Sequence, residues 1–254
     1  MKHKSFSGTR YFFATTPMPC PYLPGRVERR VVTELIGRHA EHFHDNLTAA
    51  GFRRSHSIAY APACPTCDAC IAVRIDARRF APTRSQRRIV NANSDLFAAN
   101  RPPEATQEQF ALFARYQKAR HGMGDMAKMN FSDYQALVEE TPVETEVNEF
   151  TDARGSLIAA CLTDCVEDGL SAVYSFFEPG LPQRSLGSYM ILWLVEEAKA
   201  RSLDYVYLGF WVDGCDKMSY KAKFKPLEAY SNGAWRPFTP KESLGTPFQN
   251  EESS

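Results

Sequence analysis

A mixed α/β fold in two units is predicted by three features of the sequence. Apolar residues at helical spacing alternate with strand-like runs along most of the 254 residues. The break Arg101-Pro102-Pro103 interrupts that pattern. Charge is also divided: residues 1–130 carry 20 Lys and Arg against 10 Asp and Glu, and residues 131–254 carry the reverse, so a net charge of zero conceals a basic half and an acidic half. We expect units at 1–100 and 101–238, with 239–254 as a tail by its composition.

The elements follow in order. Val32, Leu35, Ile36, His39, Phe43 and Leu47 predict a helix over 31–50, stopped by Gly51. Residues 57–60 and 71–75 read as strands on either side of a cysteine-rich loop, and 85–100 as a polar helix. Phe110, Phe113 and Tyr116 sit at core spacing in a helix over 106–120, ended by Gly122 and Gly124. A short helix follows at 131–138. Strands are predicted at 143–150, 156–164, 170–177 and 205–209, with a helix over 189–201 before the last. No internal repeat is present.

Composition narrows the class. Aromatic residues make up 12% of the chain, which suits a packed globular protein rather than a disordered one. No apolar run approaches the ~20 residues of a membrane helix. Tyr11-Phe12-Phe13 runs into Pro17 and Pro19, too short and broken for a signal-peptide core. A cytoplasmic location is expected.

Four motifs carry chemistry. Cys64, Cys67 and Cys70 are spaced by two, and Cys20 supplies a fourth thiolate, enough for tetrahedral zinc or an iron–sulfur cluster; reduced structural or sensor thiols are the other reading. Cys161 and Cys165 fall in predicted strands and read as core. Arg74, Arg78, Arg79, Arg84, Arg87 and Arg88 share their stretch with the single acid Asp76, a pattern suited to a phosphate backbone, although a solvated face would look the same. Arg184-Ser185-Leu-Gly187-Ser188-Tyr189 opens a long helix, where backbone N–H groups form an anion site or Ser188 acts as N-cap. Lys217, Lys221, Lys223 and Lys225 are interleaved with Tyr220 and Phe224, suiting a nucleotide's phosphate and base.

The helix-opening turn resembles the phosphate-holding turn of GNAT acyltransferases. Taken in order, Cys20-Pro-Tyr-Leu-Pro-Gly25, Gly51-Phe-Arg-Arg-Ser55, the Cys64/Cys67/Cys70 loop with Val73-Arg-Ile75, Arg84-Ser-Gln-Arg-Arg88, Tyr116 with His121, Ser185-Leu-Gly187, and Gly209 through Pro226 resemble the aminoacyl-tRNA–protein transferase family, in its bacterial leucyltransferase branch. The resemblance implies an N-terminal family-specific mixed domain followed by a GNAT-like acyltransferase domain. It implies Leu-tRNA or Arg-tRNA as donor and an acceptor protein beginning with Asp or Glu, which is thereby marked for degradation. The Cys-x2-Cys-x2-Cys and Arg-Ser-Gln-Arg-Arg motifs look like the leucine-transferring branch. Leu23 stands where the arginine-transferring branch has a second cysteine.

Site residues are expected accordingly. The donor ester is already activated, so the enzyme must position an amine and stabilise an oxyanion. His121, Tyr220 and Lys221 are candidates for catalysis, with a helix C-cap as the alternative for His121. Arg53, Arg54, Lys217, Lys221 and Lys223, with the turn residues Ser185, Gly187 and Ser188, are candidates for binding substrate, and the six arginines with Lys225 for binding tRNA. The family's cysteine motifs are linked to an iron–sulfur cluster, making Cys20, Cys64, Cys67 and Cys70 its expected ligands, while transfer itself needs no cofactor. An acyl-CoA enzyme or a noncatalytic, zinc-bearing RNA-binding protein are the rival readings.

Overall fold

The computed structural model describes residues 10–122 and 124–240. The chain begins with β1 (Phe13–Ala14), β2 (Met18–Pro19), β3 (Val27–Glu28), β4 (Arg30–Glu34), α1 (Ala40–Ala49), β5 (Arg53–Ser55) and β6 (Ile58–Pro62). Four of these strands form an antiparallel sheet in the order β1-β4-β6-β5, and β2 pairs with β3. Leu35, Ala40, Leu47 and Ala59 make the small core under α1. Of the helix predicted over 31–50, residues 31–34 are strand and 40–49 are helix. Val31, Val32 and Thr33 are β-branched and stiff; all three pair with β6, and Val31 and Val32 pair also with β1.

There follow β7 (Cys70–Asp76), α2 (Arg84–Asn91), β8 (Phe97–Arg101), α3 (Gln107–His121), α4 (Phe131–Glu139), β9 (Thr145–Thr151), β10 (Leu157–Val166) and β11 (Gly169–Phe177). The chain then forms α5 (Leu186–Ala200), β12 (Tyr205–Val212), the one-turn α6 (Asp216–Ser219), β13 (Leu227–Ser231) and β14 (Ala234–Pro237). Eight strands make one mixed sheet in the order β14-β13-β7-β12-β11-β10-β9-β8. The helix expected over 85–100 ends at Asn91. Asn93 turns the chain by donating from its side-chain amide to Ile89 O and Arg184 O, and 97–101 becomes an edge strand on β9.

The expected division at residue 100/101 falls inside β8, and β7 lies between β13 and β12 in the large sheet. Val73 and Ile75 of β7 are buried against α5 with Leu170, Met190, Leu194 and Leu208, so this strand cannot belong to a separate first unit. The opposite face of the sheet is covered by α3 and α4, which bury Leu112, Phe113 and Tyr134 against Val147, Leu162 and Phe176. Capping boxes at Thr106 and Asn130 start those two helices. No helix among the described residues is long and apolar enough to cross a membrane.

Candidate functional site

β11 and β12 are the parallel pair of the sheet, and their pairing is brief. Gly169, Leu170 and Ser171 match Tyr205, Val206 and Tyr207, after which the strands part. Arg53, reaching in from β5, fills the gap: Nη1 donates to Leu208 O at 3.0 Å, and Nη2 donates to Ala172 O at 2.8 Å and Val173 O at 3.0 Å. Gly209 has φ +70°, and a Cβ there would fall on the Arg53 guanidinium. Lys221 approaches the same backbone and donates from Nζ to Leu208 O at 2.9 Å and Phe210 O at 2.6 Å.

These groups lie in a protected setting. Burial, reinforced by the Arg53 charge, lowers the Lys221 ammonium to about 7. Burial pushes the Tyr220 hydroxyl up to about 12, so it stays a proton donor at neutral pH. Tyr116, also raised by burial, packs its ring 4.9 Å from Phe177. Strand β11, the turn through Ser185, helix α5 and parallel strand β12 follow one another as the GNAT resemblance implies. The N-cap of α5 is Ser185, at φ 51° and without a side-chain capping bond, rather than Ser188. Gly187 lies where a Cβ would press on Phe177 at 3.3 Å.

Two arginines expected to face substrate are internal. Arg54 donates from Nε and Nη2 to Asp164 at 2.7 and 2.6 Å, with both side chains inaccessible. This bidentate pair joins β5 to β10, and Arg54 does not line the opening. Arg74, expected at the tRNA, is buried in β7 with its guanidinium 3.4 Å above the Tyr205 ring and 4.5 Å from Trp235. Its Nε donates to Glu228 at 2.9 Å and its Nη1 to Tyr207 Oη at 3.1 Å. No signal in the sequence links Arg74 to Trp235, which returns to it only through the β13–β14 hairpin.

The remaining basic residues are at the surface. Arg78 pairs with Asp204 and Arg79 lies 3.8 Å from Asp76, both side chains being mostly exposed. Arg84, Arg87 and Arg88 are exposed on α2, as are Lys217, Lys223 and Lys225 after β12. Gln86, the buried residue of α2, donates from Nε2 to Lys223 O at 3.1 Å, which brings the arginine helix beside the lysine segment. At the other end of α2, Arg184 Nε donates to Asn93 Oδ1 at 2.9 Å, beside the start of α5. Helix α3 ends at His121, whose side chain lies outside the described residues.

Cys20, Cys64, Cys67 and Cys70 share one hollow, lined also by Tyr22, Arg26, Glu28 and Phe210. Burial and the neighbouring Cys20, Cys64 and Cys67 push the Cys70 thiol up to about 12. Arg26 Nη1 donates to Cys67 Sγ at 3.2 Å, and the backbone N–H groups of Leu23 and Arg29 donate to Cys20 and Cys64 at 3.4 Å. Such donors favour thiolates or cluster sulfur. Among the described residues, donor atoms all within 4.8 Å of one another occur in the group His42, Asp45 and Glu167, and the cysteine sulfurs are not gathered that closely. Cys161 is buried as expected, whereas Cys165 is only partly so.

Comparison with known proteins then decides the family. Residues 18–88 match Arginine-tRNA-protein transferase, N terminus, and residues 108–231 match Arginine-tRNA-protein transferase, C terminus. The chain belongs to the arginine-tRNA-protein transferase family. Within that family it is 55% identical to the aspartate/glutamate leucyltransferase of Paramagnetospirillum magneticum, over 94% of this chain and 98% of the relative. It is 56% identical to the aspartate/glutamate leucyltransferase of Rhodospirillum rubrum, over 90% of this chain and 93% of the relative. Among solved structures, L-PGS from Bacillus licheniformis aligns at a TM-score of 0.45 and 12% identity, covering 70% of this chain and 52% of that one. The transferase family's two halves meet in this structure at the large sheet, because β7 is supplied by the N-terminal match and β9 to β13 by the C-terminal one.

Proposed function

We propose that this transferase moves leucine from Leu-tRNA onto the N-terminal Asp or Glu of acceptor proteins in the cytoplasm and so creates a degradation signal. The names of its relatives support donor and acceptor. The observation that carries the reading is the Gln86–Lys223 hydrogen bond: it sets the arginine helix against the segment that also carries Tyr220 and Lys221, the latter bonded to β12 where it parts from β11. A tRNA backbone held by Arg84, Arg87, Arg88 and Lys225 would then present its aminoacyl end there, and Arg78 and Arg79 can extend the same phosphate contact.

In the reaction the acceptor α-amine attacks the ester carbonyl, the new C–N bond forms, and the ester C–O bond to the ribose breaks. The proton lost by the amine leaves with the ribose oxygen. An α-amine with pKa ~8 supplies enough neutral nucleophile without a strong base. The Tyr220 hydroxyl, kept protonated by burial, is suited to donate to the oxyanion. Exposed Lys217 and Lys223 are suited to meet the acceptor's carboxylate, and the start of α5 at Ser185, Gly187 and Ser188 to meet a phosphate of the donor. His121 is retained as a candidate proton relay.

Cys20, Cys64, Cys67 and Cys70 would hold an iron–sulfur cluster rather than one zinc ion. The four thiols line one hollow, and the cysteine motifs of the family are linked to such a cluster; a single zinc ion is the rival occupant. The cluster would tie the N-terminal loops to β7 and is not needed for acyl transfer.

The deciding assay incubates the protein with tRNA charged with labelled leucine or arginine and peptides beginning Asp, Glu or Ala. Leucine on the acidic peptides alone is the expected result. Arginine on those peptides would change the donor, and no transfer from either would favour an acyl-CoA donor or a noncatalytic RNA-binding role.

A further inference from the structure

We infer that Arg53 is a positioning residue that bridges β11 and β12 where they part and fixes their spacing, so that the donor's acyl end is held in register beside them; the inference about the acyl end rests on the function proposed above. Parallel strands ordinarily continue side by side, with each carbonyl taken by the neighbour's N–H. Here pairing stops at Ser171 and Tyr207, and the next carbonyls on both strands, Ala172 and Val173 on one side and Leu208 on the other, accept from one guanidinium. A planar fork is the side chain that can serve two diverging backbones at once.

Three further observations point the same way. Gly209 leaves open the volume that the guanidinium occupies, so strand and arginine are mutually shaped. Lys221 takes the second approach to Leu208 O and also holds Phe210 O, which keeps β12 from turning its carbonyls away. No carboxylate pairs with Arg53 among the described residues, so its charge is directed to backbone carbonyls and to whatever enters the gap. Arg53 comes from β5, next to Arg54, whose pair with Asp164 anchors that strand to β10. The small sheet thus sets the spacing of two strands in the large one.

This role differs from recognition of the acceptor's acidic side chain, and the two predict different losses. Wild type, Arg53→Met, Arg53→Lys and Gly209→Ala are compared in leucine transfer to peptides beginning Asp, Glu and Ala, and by hydrogen exchange of the free proteins. Arg53→Met is expected to lower kcat and raise KM for Leu-tRNA by about tenfold or more. The preference among peptides stays unchanged, and the amides of 171–174 and 207–210 exchange faster because the strand ends fray. Gly209→Ala displaces the guanidinium from the other strand and reproduces that pattern, while Arg53→Lys, with one ammonium in place of a fork, recovers part of the rate. If Arg53→Met does not fold, Gly209→Ala and Arg53→Lys carry the same readouts. Unchanged exchange at both segments, or a loss confined to discrimination between acidic and alanine peptides, overturns the inference. If wild type transfers no leucine, the proposed function fails, while the exchange arm still decides whether Arg53 fixes the spacing of the strands.

Discussion

The carboxylate of Asp164 accepts two hydrogen bonds from Arg54, one from Thr145 Oγ1 at 2.9 Å, and faces His44 Nε2 at 3.5 Å, with its side chain inaccessible to solvent. Removing Arg54 leaves a buried carboxylate without its cation. Arg54→Met should destabilise the protein by about 3–5 kcal/mol. Replacing both partners, as Arg54→Met with Asp164→Leu, should recover much of that loss. Urea unfolding of the two variants measures the difference, and a double variant as unstable as the single would refute the account.

Arg74 and the α2 arginines should separate cleanly. Arg74→Leu strips Glu228 of its cation and empties the space between Tyr205 and Trp235, lowering stability by about 2–4 kcal/mol without changing tRNA affinity. Neutralising Arg84, Arg87 and Arg88 together should do the opposite. Thermal stability stays near wild type, tRNA binding weakens, and the slope of log affinity against log salt flattens by about 2–3. Salt titrations on both variants test the pair of outcomes.

Lys221 makes stability depend on pH in one direction. Its pKa in the fold is about 7, against an ordinary 10.5, because burial disfavours the ammonium. Below pH 7 both folded and unfolded states carry the charge, and the full penalty of burying it applies. Between 7 and 10.5 the folded state has released the proton and the unfolded state has not, so stability rises with pH. A neutral amine still has two N–H donors for the two carbonyls of Leu208 and Phe210. Lys221→Met leaves those carbonyls unserved, at about 2–4 kcal/mol. The gap between wild type and variant should widen from pH 7 to pH 10; a constant gap would show that the ammonium is not destabilised.

The cysteines predict a coloured protein. Prepared anaerobically with iron and sulfide, it should absorb visible light, and Cys64→Ser or Cys70→Ser should abolish the colour. Iron chelation should lower stability while leaving residual leucine transfer, since the proposed cluster would take no part in the acyl-transfer chemistry. Colourless protein holding one zinc per chain would replace the cluster with a mononuclear site.

Periodicity exposed α3, α4 and α5, because their apolar residues repeat at a helix's spacing over two or more turns. It misread 31–35, where Val31, Val32 and Leu35 satisfy a helical stripe and a strand equally; two neighbouring strands decided the matter. The arginine run was visible as charge, but not as two populations. Arg74 and Arg84 differ in burial because Tyr205 and Trp235 return from the far end of the chain to enclose one of them. Arg53 was legible as a cation but its contacts were not, since its partners are backbone carbonyls, which carry no residue signature. The cysteine pattern was legible as spacing, and the fold brings Cys20, Cys64, Cys67 and Cys70 to one hollow.

The position of β7 also constrains how the protein is made. Its residues emerge from the ribosome early, yet its partners are 205–212 and 227–231, near the end of the chain. Until those are synthesised, an apolar strand with both ladders open is exposed, the condition under which nascent chains mispair or aggregate. Pairing across so large a sequence separation is slow. Synthesis truncated before residue 227 would leave β7 with a bare flank, making such fragments clients for chaperones or proteases rather than half-active enzymes.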